Sequence, residues 1–130
     1  INSQKLEYIG YGGHGNQIRD VLHINDLNDL IFLQVKKFGK IYNNLFTVGG
    51  SSNSYTSLRD LTKLCQNLTG NKINITKNTK TSIYDIPYFI TDNNKVFRTY
   101  RWKPKRTLYD IVKETYLWMI NNKEYIKKYF

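Results

Sequence analysis

Cysteine is nearly absent from this sequence, and that scarcity is the first constraint on what it can be. Cys65 stands alone among 130 residues, so no internal disulfide can form, and a reducing compartment, the cytoplasm, is the expected setting. Proline is equally scarce. Pro87 and Pro104 are the two present, and no Pro-rich, repeated or low-complexity stretch divides the chain. Residues 1–130 therefore read as a single domain with a modest core. No apolar run approaches the ~18–20 residues that a membrane span needs, so no membrane partner is expected. Two histidines and one cysteine lie too far apart in sequence to signal zinc. Acid is in short supply as well, with 10 Asp and Glu against 20 Lys and Arg. The resulting charge of +10 points to an anionic partner such as nucleic acid, an acidic surface or a phosphorylated ligand. The same charge also fits a solvated, Lys-rich surface, because the basic residues are scattered. The sequence opens at Ile1 without a methionine or a signal-peptide pattern, and Leu6–Ile9 is already strand-like, so a piece of a longer protein is expected.

What is present is an α/β pattern of about three main helices with short strands. A strand at Leu6–Ile9 leads into a glycine-dense loop, Gly10 to Gly15, and an extended stretch, Ile18 to Ile24. The first helix takes Asn25 as its N-cap, with Asp26 and Asp29 in the first turn, where the helix dipole favours acids. Leu27, Leu30, Ile31 and Val35 form its apolar stripe, and Lys36, Lys37 and Gly39 end it. Leu45–Val48 reads as a strand closed by Gly49-Gly50. Ser57-x-x-Asp60 is a capping box that opens a second helix ending near Gly70, with Leu58, Leu61, Cys65 and Leu68 on one face. Cys65 is thus a small core hydrophobe. Lys72–Thr76 and Tyr88–Thr91 read as strands, and Asp92 as the cap of a short helix through Phe97. Thr107-x-x-Asp110 opens the last helix, which runs to about Ile120 with Leu108, Ile111, Val112, Thr115 and Met119 inward. Residues 121–130 read as a loosely packed basic and aromatic tail.

Two patterns imitate a complete cofactor enzyme. Gly10-Tyr-Gly-Gly-His-Gly15 matches G-x-G-x-x-G, but a dinucleotide site needs those glycines between a buried strand and a helix N-terminus. Asn16 to Val21 is a poor helical start. Tyr109 and Lys113 have the i,i+4 spacing of a catalytic tyrosine–lysine pair, yet they lie opposite the apolar stripe of the last helix and read as an exposed pair.

The run Tyr8-Ile-Gly-Tyr-Gly-Gly-His-Gly-Asn-Gln-Ile-Arg-Asp-Val-Leu-His-Ile-Asn-Asp-Leu27 resembles the extended short-chain dehydrogenase/reductases that act on nucleotide sugars. Three later blocks agree in order and spacing: Phe46–Leu58, Asp85–Asp92 and Arg101–Leu108. The form Gly-Tyr-Gly-Gly-x-Gly-x-Gln-Ile-Arg-Asp is similar to the branch that epimerises a CDP-hexose at C2. The resemblance implies the carboxy-terminal, substrate-binding portion of an NAD-dependent epimerase, with NAD on an amino-terminal Rossmann half that these 130 residues do not include. It also implies a nucleotide-diphosphate sugar as ligand, a homo-oligomeric parent, and no catalytic or cofactor-binding residue in this chain.

The substrate-binding residues implied are Arg19, Tyr11, Gly12, Gln17, Ser82 and Asp85. Arg19 matches an arginine that reaches the nucleotide diphosphate, a role suited to a guanidinium fork; a local pair with Asp20 is the structural alternative. Tyr11 and Gly12 form a loop wall beside the nucleotide, and Gln17 contributes its amide. His23 is a packing and hydrogen-bonding residue. Two departures stand out. Ser82 occupies a position where the family commonly has a second diphosphate-binding arginine, with Lys80 as a less directional substitute, and Ser51-Ser52 replace a glycine and an arginine. In that superfamily the first helix and the Leu45–Val48 strand pack onto the dinucleotide half, so this chain alone is expected to expose an apolar face and to associate.

Two other readings remain beside this one. A nucleic-acid-binding module would use Arg98 to Arg106 with Tyr100 and Trp102 and the basic tail. A non-catalytic remnant would share the ancestry and lack the activity.

Overall fold

The computed structural model describes residues 5–39 and 44–129. The chain forms two compact units, each assembled from separate stretches.

The first unit comprises residues 1–17, 57–87 and 109–130. Its strands β1 (Leu6–Ile9) and β4 (Ile75–Asn78) pair in parallel, with Leu6 opposite Ile75 and Ile9 opposite Asn78. Helix α2 (Leu58–Thr69) begins where the capping box places it. The Ser57 hydroxyl accepts from the Asp60 N–H at 3.1 Å and donates to the Asp60 carboxylate at 2.6 Å. Gly70 closes the helix in the left-handed conformation that a residue without Cβ adopts most cheaply. Leu61, Leu64, Cys65 and Leu68 are half-buried along its inner face. Helix α4 (Leu108–Asn121) turns Ile111, Val112 and Tyr116 inward; Thr115 and Met119, expected there, are exposed. Tyr116 falls four residues after Val112, one helical turn on along the same face. A short helix α5 (Lys123–Lys127) follows, held by a Lys127–Glu124 ion pair at 2.9 Å and a Tyr125–Tyr129 ring contact at 5.0 Å. Phe130 lies outside the described residues.

The second unit comprises residues 18–56 and 88–108. Strand β2 (Ile18–Asp20) lies between β3 (Tyr55–Ser57) and β5 (Tyr88–Phe89), and pairs with β5 in parallel. Helix α1 (Ile24–Lys36) starts one residue before the expected cap. His23 takes that position because its Nδ1 accepts the Asn25 N–H at 3.0 Å, a role usually filled by Ser, Thr, Asp or Asn. The core holds Leu30, Val96, Tyr100 and Trp102, against which Leu22, Leu33, Phe46 and Val48 pack. Helix α3 (Asn94–Tyr100) is longer than expected and starts after Asn93, but Asp92 still supplies the capping bond, its carboxylate accepting the Asn94 N–H at 2.8 Å. Asn93 is spent elsewhere: its amide accepts the Gly49 N–H at 3.1 Å and donates to the Gly49 carbonyl at 2.8 Å.

Leu45–Val48 is irregular rather than a strand. Its burial alternates as a strand's would, with Phe46 and Val48 half-buried, but the two hydrogen bonds that tie it down each have a side chain at one end instead of forming a ladder. The Thr47 hydroxyl donates to the Asp92 carbonyl at 3.0 Å, and Lys95 donates to the Leu45 carbonyl at 2.8 Å.

Asp26 organises this unit. Its side chain is 1% exposed and lies in the first turn of α1. One carboxylate oxygen accepts the backbone N–H groups of Lys105 and Arg106, both at 3.0 Å. The other accepts from the Arg106 guanidinium at 2.6 Å. The Asp26 carbonyl accepts the Trp102 indole N–H at 2.9 Å. A carboxylate this deeply buried is tolerated because these charge-assisted bonds replace its water.

Candidate functional site

In the first unit the glycine loop turns back on itself. Tyr11–Gly13 is a 3-10 turn, and Gly10, Tyr11, Gly12, Gly13 and Gly15 all have φ between 45° and 81°. The region favours glycine, so Tyr11 at 45° is strained. Two contacts hold it there. Its N–H donates to the Thr81 hydroxyl at 2.8 Å, and its phenol donates to the Asp85 carbonyl at 2.6 Å. Gly13 passes so close to β4 that a Cβ would sit 2.8 Å from Lys77 Cβ and 2.9 Å from the Asn78 nitrogen. A Cβ at Gly15 would meet the Tyr8 ring at 2.8 Å. These glycines therefore serve close backbone approach, and the loop runs into β2, not into a helix. The dinucleotide fingerprint is ruled out by that connection.

Gln17 is 6% exposed and donates to the Ile9 carbonyl and, at 3.3 Å, to Asp85 Oδ2. The loop also caps helix α2: the Arg59 and Leu58 N–H groups donate to the Gly15 and Gln17 carbonyls at 2.9 and 3.3 Å. Tyr11, Gln17 and Asp85 thus come together. Gly12 is exposed at the turn and offers backbone alone. Ser82 lies on the adjoining turn, where its hydroxyl accepts the Tyr84 N–H at 3.2 Å and its carbonyl accepts the Asp85 N–H at 3.1 Å. Lys80 donates its backbone N–H to Asn78 Oδ1 at 3.1 Å. Thr81, which fastens the Tyr11 backbone, carried no signal in the sequence because its partner is 70 residues away.

Arg19 belongs to the second unit. It is half-buried on β2, where its guanidinium donates to the Ile18 carbonyl at 2.7 Å. The neighbouring Asp20 accepts the Ser51 N–H at 2.8 Å and the Thr91 hydroxyl at 3.3 Å. Ser51 itself has φ 55°, a left-handed conformation that suits the glycine expected from the resemblance better than it suits serine.

The second imitation also resolves. Tyr109 is 48% exposed, and the Lys113 ammonium lies 5.9 Å from its ring centroid, a surface cation–π pair. Among the described residues no group of three His, Cys, Asp or Glu is placed to hold a metal. Among them, too, no helix is long and apolar enough to cross a membrane.

No family model matches the chain. A CDP-paratose 2-epimerase of Salmonella typhi is 33% identical over 106 residues, covering 82% of this chain and 31% of that protein. The chain belongs to the extended short-chain dehydrogenase/reductases. Solved structures of that family carry the same fold. The UDP-glucose 4-epimerase of Stenotrophomonas maltophila, with bound NAD and formylated UDP-arabinopyranose, superposes with a TM-score of 0.77 at 18% identity, covering 92% of this chain and 36% of its own. The UDP-glucose 4-epimerase of Thermotoga maritima with UDP-glucose gives 0.72 at 24% identity, with 88% and 35% covered. The dTDP-glucose 4,6-dehydratase of Bacillus anthracis with NAD gives 0.69 at 22%, with 86% and 34% covered. The chain spans about a third of the length of the relatives it matches.

Proposed function

We propose that this chain is the carboxy-terminal, substrate-holding part of an NAD-dependent nucleotide-sugar epimerase, acting at C2 of a CDP-hexose. The observation that carries the reading is the anchoring of the glycine loop: Tyr11 and Gln17 both reach Asp85, joining two of the four sequence blocks that bear the resemblance. The similarity to the Salmonella typhi enzyme supports the choice of cytidine nucleotide and of C2.

In this reading Arg19 directs its guanidinium at the diphosphate, where a planar fork matches two oxygens and the bonds are charge-assisted. Tyr11 acts as a wall of fixed shape, because its N–H and hydroxyl are already committed to Thr81 and Asp85. Gly12, exposed and without a side chain, lets the nucleotide approach the backbone. Ser82 retains its own hydroxyl hydrogen to donate. Gln17 and Asp85 set the loop's position. No residue here acts as catalytic acid, base or hydride donor.

The described residues do not fit NAD. The glycine loop opens on a 3-10 turn rather than on a helix N-terminus, and the Tyr109–Lys113 pair lies on the surface. NAD is therefore assigned to a Rossmann half supplied from outside these residues, within a cytoplasmic and homo-oligomeric parent. The nucleic-acid reading loses the Tyr100 and Trp102 part of its stacking platform, since Trp102 is 3% and Tyr100 7% exposed, and is left with the tail tyrosines Tyr125 and Tyr129.

Calorimetric titration of the chain with CDP tests the proposal. CDP should bind, and Arg19→Ala should weaken it by about ten- to a hundredfold, the worth of a hydrogen bond to a charged group. Equal binding by Arg19→Ala, or no CDP binding alongside salt-sensitive oligonucleotide binding, would overturn it.

A further inference from the structure

A second site of quite different chemistry lies wholly within the second unit. A cleft of about 520 Å³ opens between the later half of α1 and the segment that follows α3. Its volume is in the range that small ligands occupy. Lys36, Arg101, Lys103 and Lys105 line it, with Asp29 as the one carboxylate among the lining residues. Phe32 and Leu33 supply an apolar wall, and the buried Trp102 closes the floor.

The charge in this cleft is poorly compensated. Lys105 reaches Asp29 at 3.8 Å, and Arg106 shares that same carboxylate at 4.0 Å. Among the described residues neither Lys36 nor Lys103 has a carboxylate within ion-pair distance, and the Arg101 guanidinium lies over the Phe97 ring at 5.7 Å. Sequence neighbours do not relieve the imbalance, because no acid occurs between Asp92 and Asp110 while six basic residues do. Nor are these cations on loose chain. Arg101 is fixed at φ 56° as the cap of α3, Trp102 is tied to the Asp26 carbonyl, and the Lys105 and Arg106 N–H groups are tied to the Asp26 carboxylate. Like charges held together on a rigid backbone repel one another, and a multiply charged anion relieves that repulsion.

We propose that this cleft binds a compact phosphate ester carrying several negative charges, with its phosphates among Lys36, Arg101, Lys103 and Lys105 and its apolar part against Phe32 and Leu33. The lining residues include neither Arg19 nor any residue of the glycine loop, and the proposal stands whether or not the chain takes a CDP-sugar.

Inorganic tripolyphosphate is the probe, titrated calorimetrically into the 130-residue chain at 0.05 and 0.2 M salt. Saturable one-to-one binding that weakens with salt is expected. The double variant Lys36→Gln/Lys103→Gln should reduce affinity by at least about tenfold, since both side chains are exposed and their loss leaves the melting temperature nearly unchanged. Arg19→Ala should leave tripolyphosphate binding intact, which separates this site from the nucleotide site. Undiminished binding by the double variant would mean an adventitious ion only. No saturable binding would overturn the proposal, and so would a mixed-sequence oligonucleotide that binds more tightly than tripolyphosphate and is lost in the double variant.

Discussion

Replacing Asp26 with alanine should be among the most damaging single changes in this chain. The carboxylate is 1% exposed and satisfies two backbone N–H groups and one guanidinium. Alanine leaves the Lys105 and Arg106 N–H groups without their acceptor and strands the two-thirds-buried Arg106 side chain without its counter-charge. Removing one partner of a buried pair costs about 3–5 kcal/mol. Against the ~5–15 kcal/mol that holds a domain together, that is a large fraction. A loss of that size corresponds to a fall of roughly 10–20 °C in melting temperature for a domain of this length. Asp29→Ala is the control: Asp29 is 46% exposed in its side chain, and its pairs with Lys105 and Arg106 are long, so less than about 1 kcal/mol is expected. Burial alone would raise the Asp26 pKa, but the N–H groups of Arg106 and Lys105 and the Arg106 guanidinium outweigh it and hold the carboxyl below its ordinary value. A depressed folded-state pKa means that the stabilisation is complete above the unfolded value near pH ~4 and fades as pH falls through the folded one. Urea denaturation of both proteins from pH 7 to pH 3 should therefore show their stabilities converging on the acid side. A difference below about 1 kcal/mol at pH 7, or a gap that does not narrow in acid, would refute the clamp.

Ser57→Ala removes the N-cap of α2 and should cost about 1 kcal/mol, read by thermal melting, while Ser57→Thr should retain most of it. Ser51→Gly relieves a left-handed backbone at φ 55° and should stabilise by about 0.5 kcal/mol; unchanged or lower stability would show that the serine side chain contributes more than the strain costs. On the second unit, Phe32, Val35, Phe38 and Leu45 are 66%, 65%, 88% and 85% exposed, an apolar display well beyond scattered surface residues. Sedimentation velocity should show association that rises with concentration and is reduced in Val35→Lys/Phe38→Ser. A monomer at every concentration would remove that expectation.

The sequence displays its local chemistry far better than its long-range ties. Helix α2 was readable at both ends, because a serine hydroxyl, an aspartate three residues on and a closing glycine act within a single turn. The face of α1 was half readable: Leu30 is buried, but Ile31 and Val35 from the same stripe are exposed, and periodicity cannot say which neighbours an apolar side chain will find. Leu45–Val48 has strand composition and strand-like alternation but no ladder, since strand propensity expresses fit to a pleated neighbour. At the candidate site, Tyr11, Gln17 and Asp85 were named from resemblance, and their meeting depends on chain segments 68 and 74 residues apart. Thr81 and the Asp26–Arg106 clamp left no trace for the same reason: a hydrogen bond 70 or 80 residues long in sequence has no spacing rule.

The order in which the two units draw on the chain sets a timetable for synthesis. Residues 18–56 and 88–108 make up the second unit, so all of it exists once Leu108 has emerged, whereas the first unit still awaits everything from Tyr109 onward. Strand β1 is made before its parallel partner, which begins at Ile75, 69 residues after Leu6. At ribosomal speeds of ~5–20 residues per second, β1 waits roughly 3–14 s for that partner. The strand that leads into the glycine loop thus spends that interval as an open edge, the kind of segment a chaperone shields.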